Sequence, residues 1–142
     1  MFQPAITGSG VFTPDEIISN DELVAAFNAY AGKFNAGNAE DIAAGRIAAK
    51  ALSSSEFIVN ASGIHQRHVM DKTGVLDPDV MHPLLRQRAD DEPGIMAEMA
   101  LDACTKALEQ ADRAAPEIDL VICAASNHER PYPAIAIEIQ QR

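Results

Sequence analysis

Leu23, Ala26, Phe27 and Tyr30 recur at three- and four-residue steps behind the polar run Ser19-Asn20-Asp21-Glu22. That spacing predicts a helix with one apolar face, running to about residue 30. Ser19 and Glu22 form its capping box, each side chain reaching a backbone amide that the first turn leaves free. A second box, Ser53-Ser54-Ser55-Glu56, opens a short helix carrying Phe57, Ile58 and Ala61, and Gly63 breaks it. The longest periodic stretch, 92–112, places Met96, Met99, Ala100, Ala103, Cys104, Ala107, Leu108 and Ala111 on one stripe, with Pro93 suited to its first turn.

Strand signals differ in kind. Residues 5–12 are apolar and interrupted by Gly8 and Gly10, which predicts a strand whose glycines let the chain turn or let another backbone approach closely. Residues 64–70 alternate loosely and read as a strand or extended edge. Residues 118–125, Ile-Asp-Leu-Val-Ile-Cys-Ala-Ala, form a near-continuous apolar run, the pattern of a central strand covered on both faces by helices. Between these, 31–52 is rich in Ala and Gly, and 41–52 fits a second helix weakened by Gly45. Residues 71–91 carry Gly74, Pro78 and Pro83 and read as an irregular loop. A last helix follows Pro131-Tyr132-Pro133 from residue 134, and the chain ends within it. The alternation of helix and strand predicts an α/β layer fold.

Composition narrows the function. The 142 residues suit one domain, and 47% hydrophobic with 23% charged residues is globular in balance. The net charge of −10 argues against nucleic acid and against an anionic membrane surface. Cys104 and Cys123 have neither a disulfide framework nor metal-ligand spacing, and both read as buried apolar side chains. The start, Met1-Phe2-Gln3-Pro4, lacks a signal-peptide pattern, and no apolar run is long enough for a membrane span. The expectation is a soluble, cytoplasmic protein. His65 and His68 have no second ligand pair for a metal. Gly8-Ser9-Gly10 lacks the third glycine of a dinucleotide loop.

Three stretches carry a resemblance. They are Ile6-Thr7-Gly8-Ser9-Gly10-Val11-Phe12-Thr13-Pro14 with Ser19 to Leu23 behind it, Ser54-Ser55-Glu56-Phe57-Ile58-Val59 leading to Ser62-Gly63-Ile64 and Arg67-His68, and 118–126 followed by Tyr132-Pro133-Ala134. In this order and spacing they resemble the opening of β-ketoacyl-acyl-carrier-protein synthase III. The resemblance implies a thiolase-like fold, layered α/β/α/β/α when complete, of which 1–142 is a truncated N-terminal part with a helical insertion at 31–52. It implies decarboxylative condensation of an acyl-CoA primer with malonyl-acyl-carrier-protein in fatty-acid biosynthesis, with these substrates and no further cofactor or metal. It implies a homodimer in the complete enzyme. The family's Cys, His and Asn fall beyond residue 142, so no catalytic residue is expected here and the segment alone is expected to be inactive.

Three substrate-binding positions follow from the resemblance. Phe57 stands where the family places an aromatic, usually Trp, on the adenine of CoA; its apolar character suits a core position equally. Ser53 stands where a hydroxyl reaches the adenine edge, although capping the helix behind it is the preferred role. Tyr132 stands where an aromatic crosses the dimer interface into the partner's acyl pocket. Two family arginines near the phosphate path correspond to Ala61 and His65, which weakens anion capture. A primer longer than acetyl, of medium length, fits these departures. A non-catalytic interaction module of the same fold is the alternative, as is another thiolase-fold branch, either a hydroxymethylglutaryl-CoA synthase or a long-chain head-to-head condensing enzyme.

Overall fold

Ile17 and Ile18 are adjacent β-branched residues just before a strong helix cap, and such residues favour the pleated strand. A computed structural model describes residues 3–142 and places them in β1, Glu16–Ser19. Strand β1 pairs antiparallel with β2, Gln66–Val69, in the register Glu16 to Val69 and Ser19 to Gln66. Ile18 is fully buried. The 64–70 strand expectation is therefore met, while β1 was missed because Pro14 and the capping box crowd it. This pair is the only sheet among the described residues. Helix and strand are mixed as expected.

The chain separates into two units, Pro14–Arg86 and residues 3–13 with Gln87–Arg142. In the first, α1 spans Asn20–Gly37 and its capping box forms as read: the Ser19 hydroxyl accepts from the Glu22 amide at 3.2 Å, and Glu22 accepts from the Ser19 amide at 2.9 Å. Helix α1 runs two turns beyond residue 30, because Gly32 alone weakens a helix without ending it. Helix α2 is only Ala39–Ala43, not 41–52. Gly45 adopts a left-handed φ of 71° and ends the helical run there. Helix α3, Ser55–Ser62, starts one residue later than the second box implies. Ser54, not Ser53, is its cap, accepting from the Phe57 amide at 3.1 Å, and Gly63 closes it at φ 70°. The expected loop 71–91 holds α4, Lys72–Leu76, nucleated by Asp71, whose carboxylate accepts from the Thr73 and Gly74 amides.

Asn20 ties β2 to α1. It is buried, its amide donates to His65 O at 3.2 Å, its Nδ2 donates to Ile64 O at 2.7 Å, and its Oδ1 accepts from Arg67 at 3.0 Å.

In the second unit α5 spans Ile95–Ala111 and α6 spans Ile135–Gln140. Pro93 lies just before α5, whose cap is Gly94. Two carboxylates distant in sequence serve the first turn. Glu138 accepts from the Gly94 amide at 2.7 Å and Glu129 from the Met96 amide at 3.0 Å. Both place negative charge at the positive end of the helix.

Residues 5–12 form no strand. They lie on α5 instead: a Cβ on Gly8 would stand 2.1 Å from Ala107 O, and one on Gly10 1.9 Å from Ala103 O. Of the two roles expected of these glycines the structure realises the close approach, but against a helix. Ser9 donates to Gln110 at 2.6 Å and Lys106 to Val11 O at 3.2 Å. Residues 118–125 are also not a strand, and Leu120 and Ile122 are 73% and 82% exposed. The correction has a physical reason. A central strand needs hydrogen-bonding neighbours on both edges, and no described segment pairs with this one. The last helix ends at Gln140 rather than continuing to Arg142.

Candidate functional site

Asn28 and Asn35 lie seven residues apart, so they share one face of α1 about 10.5 Å apart. Each uses its carboxamide as a second peptide group. Asn28 Nδ2 donates to Ser53 O at 3.1 Å and Oδ1 accepts from the Ser53 amide at 2.9 Å. Asn35 does the same to Lys50, at 2.9 and 2.8 Å. Three residues of extended chain would cover about 10 Å, close to the separation of the two asparagines along α1. The 50–53 segment is thereby docked along α1 without a β-ladder.

Between α1 and α3 lies an apolar cavity of about 250 Å³, lined by Leu23, Val24, Phe27, Ser53, Ile58 and Met81. Ser53 is half-buried at its rim. Phe57 does not line it; it stands 66% exposed on α3, so the core reading of Phe57 is not realised. Phe27, Tyr30 and Phe34 form a row along α1, with successive ring centres 6.4 Å apart. The ammonium of Lys50 closes that row, 4.5 Å from the Phe34 ring centre and 5.2 Å from that of Tyr30. The structure therefore gathers Ser53, Phe57, Lys50 and the aromatic row in one unit. Asn28, Asn35 and Lys50 escaped the sequence reading. The signal that finds the two asparagines is their seven-residue spacing on α1; no sequence signal marks Lys50.

Two carboxylates of this unit are held in their ionised form by their partners. Glu22 is held down to a pKa of about 2, first by the Lys72 ammonium at 2.5 Å and then by the Ser19 amide and hydroxyl. Asp71 is lowered as well, chiefly by the Leu84 amide, with the Gly74 and Thr73 amides adding to it.

Tyr132 belongs to the other unit and is 83% exposed. Cys104 and Cys123 are both exposed, against the expectation of burial. Cys104 lies in the middle of α5, and Cys123 lies in the run 118–125. Cys123 borders a shallow depression with Asn127, His128 and Arg130, but no hydrogen bond links the thiol to His128 among the described residues. Among those residues, no three His, Cys, Asp or Glu side chains gather as a metal site would require. No helix is long and apolar enough to cross a membrane.

The chain is 50% identical over 115 residues to a β-ketodecanoyl-acyl-carrier-protein synthase of Pseudomonas aeruginosa, covering 81% of this chain and 33% of that protein. This chain is a homologue of the β-ketoacyl-acyl-carrier-protein synthases III. Two synthases III bearing that name align over nearly all of it. That of Caulobacter vibrioides is 26% identical over 137 residues, 96% of this chain and 29% of its own length. That of Bordetella petrii is 28% identical over 142 residues, 99% and 31%. The chain spans about a third of the length of the curated relatives it matches. No family model matches the chain. Synthases III are condensing acyltransferases. They imply a thiolase-like fold, with which the mixture of helix and strand described above is compatible.

Proposed function

We propose that this chain is part of a β-ketoacyl-acyl-carrier-protein synthase III that condenses a medium-length acyl-CoA with malonyl-acyl-carrier-protein. The observation that carries the proposal is the 50% identity to a synthase named for a β-ketodecanoyl product. A malonyl unit adds two carbons on losing carbon dioxide, so a β-ketodecanoyl product requires an octanoyl primer. Octanoyl-CoA is the primer we assign here.

In this reading the Pro14–Arg86 unit receives the CoA. Phe57 offers an exposed ring for the adenine, and Ser53, held by Asn28 at a cavity rim, offers a hydroxyl to its edge. With Ser54 serving as the α3 cap, the Ser53 hydroxyl is released from that role. Tyr132 lines the acyl pocket of a partner subunit. The nucleophile is neither Cys104 nor Cys123. A thiol attacks as the thiolate, which a helix N-terminus, a cation or a base stabilises. Cys104 is mid-helix in α5, and Cys123 lies outside any helix and has no base bonded to it among the described residues.

The test is a primer series. The protein from its complete reading frame is given malonyl-acyl-carrier-protein and CoA thioesters of increasing chain length, and the products are weighed. Fastest formation of β-ketodecanoyl-acyl-carrier-protein from octanoyl-CoA is expected. Preference for acetyl-CoA would overturn the primer assignment, and no condensation with any primer would favour a non-catalytic module.

A further inference from the structure

Lys50 stands apart from the other cations of its unit. Lys33 sits on Asp79 at 2.7 Å, Arg46 on Asp41 and Lys72 on Glu22, while Arg67 donates to Asn20. The Lys50 ammonium makes no hydrogen bond and no ion pair among the described residues, in a chain with 21 acidic side chains against 11 basic ones. The Phe34 and Tyr30 rings attract its charge, yet π-faces do not replace oxygen acceptors for its three N–H donors. Its backbone N–H and C=O are both bonded to Asn35, so the chain that carries the ammonium has little backbone freedom left to lose when an anion arrives.

The surroundings define the anion. The aromatic row leads from Lys50 to Phe27, which lines the apolar cavity with Ser53. Phe27 and Phe34 are seven residues apart, about 10.5 Å along α1. One face of α1 thus offers an apolar recess, a neighbouring Ser, and a cation without an oxygen partner two helical turns away. That is complementary to a small amphiphile whose anionic group lies at such a distance from its apolar or flat part, as in a nucleotide thioester.

We propose that Lys50 receives a phosphate of the acyl-CoA on this face of α1. The proposal rests on the acyl-CoA reading above and adds to it the cation that captures the nucleotide. The ammonium moves from the rings alone to a shared position between rings and phosphate oxygens, and the charge-assisted hydrogen bonds favour the CoA thioester over one without phosphate.

The experiment compares octanoyl-CoA with octanoyl-pantetheine, which lacks every phosphate, as primers for the full protein. The variants are Lys50→Met, which keeps the stem on the rings, and Lys50→Arg, which keeps the charge. The wild type is expected to prefer octanoyl-CoA in kcat/KM, and Lys50→Met to lose about tenfold of that preference, while Lys50→Arg retains most of it. The loss should reside in KM, with an unchanged melting temperature. An undiminished preference in Lys50→Met would overturn the role of Lys50 and leave the acyl-CoA reading intact. A raised KM for malonyl-acyl-carrier-protein with the thioester preference intact would also overturn it, assigning the ammonium to the carrier protein. Failure of the wild type to use either thioester would overturn the acyl-CoA reading itself.

Discussion

Glu22 joins three parts of its unit: the β1 end at Ser19, the first turn of α1, and Lys72 at the start of α4. Its pKa falls from 4.5 to about 2 because the ionised form gains these partners. The sign follows directly. A lowered folded pKa contributes stability above the unfolded value near 4.5, and that contribution fades as pH falls toward 2. Acid titration of helix content by circular dichroism should therefore lose signal through this window. Glu22→Gln should flatten the pH dependence there; superimposable titrations would remove Glu22 from the account. At the proposed ligand face, Phe57→Ala should weaken octanoyl-CoA use by about 1–3 kcal/mol, the scale of one aromatic–base stack. Tyr132→Ala should instead shift the primer lengths accepted. Unchanged kinetics for Phe57→Ala would leave its exposed ring without a ligand role.

Among elements, those whose signals are local were legible. The Ser19 box, the Gly63 stop and the 92–112 periodicity each act within one or two turns, and the structure realises them within a few residues. Features that depend on distant partners were not. Helix α5 takes its N-terminal acceptors from Glu129 and Glu138, and no local spacing announces that. The 50–53 segment is held to α1 by Asn28 and Asn35, which lie 25 and 15 residues away in sequence from the residues they bind. At the site, Phe57 and Ser53 were legible only through resemblance, and Lys50 not at all. Two substitutions test these element-level contacts. Asn28→Ala removes two hydrogen bonds from Ser53 and should cost about 1–3 kcal/mol, with faster amide exchange at Ser53 than at Lys50. Equal exchange at both would mean that the two clamps act as one. Gly10→Ala forces a methyl into Ala103 O and should cost about 1–3 kcal/mol by overpacking, read as a lower melting temperature. An unchanged melting temperature would show that residues 5–12 do not pack on α5.

For the whole molecule, the largest departure from expectation is residues 118–125. The pattern there is that of a buried central strand, yet Leu120 and Ile122 face solvent. An apolar run with unpaired backbone groups invites pairing with another chain. The 142-residue chain should sediment as a concentration-dependent mixture of assemblies, and Ile122→Asp should shift it toward monomer. A sharp monomeric boundary at high concentration would contradict this reading of the exposed run.

The synthase III reading proposed above places the nucleophile on neither Cys104 nor Cys123. Its most direct test is to incubate the protein from the complete reading frame with octanoyl-CoA, weigh it intact, and map the adduct. One octanoyl thioester per chain is expected, on a cysteine other than Cys104 and Cys123. A thioester on Cys123, or a protein that remains unmodified, would contradict it.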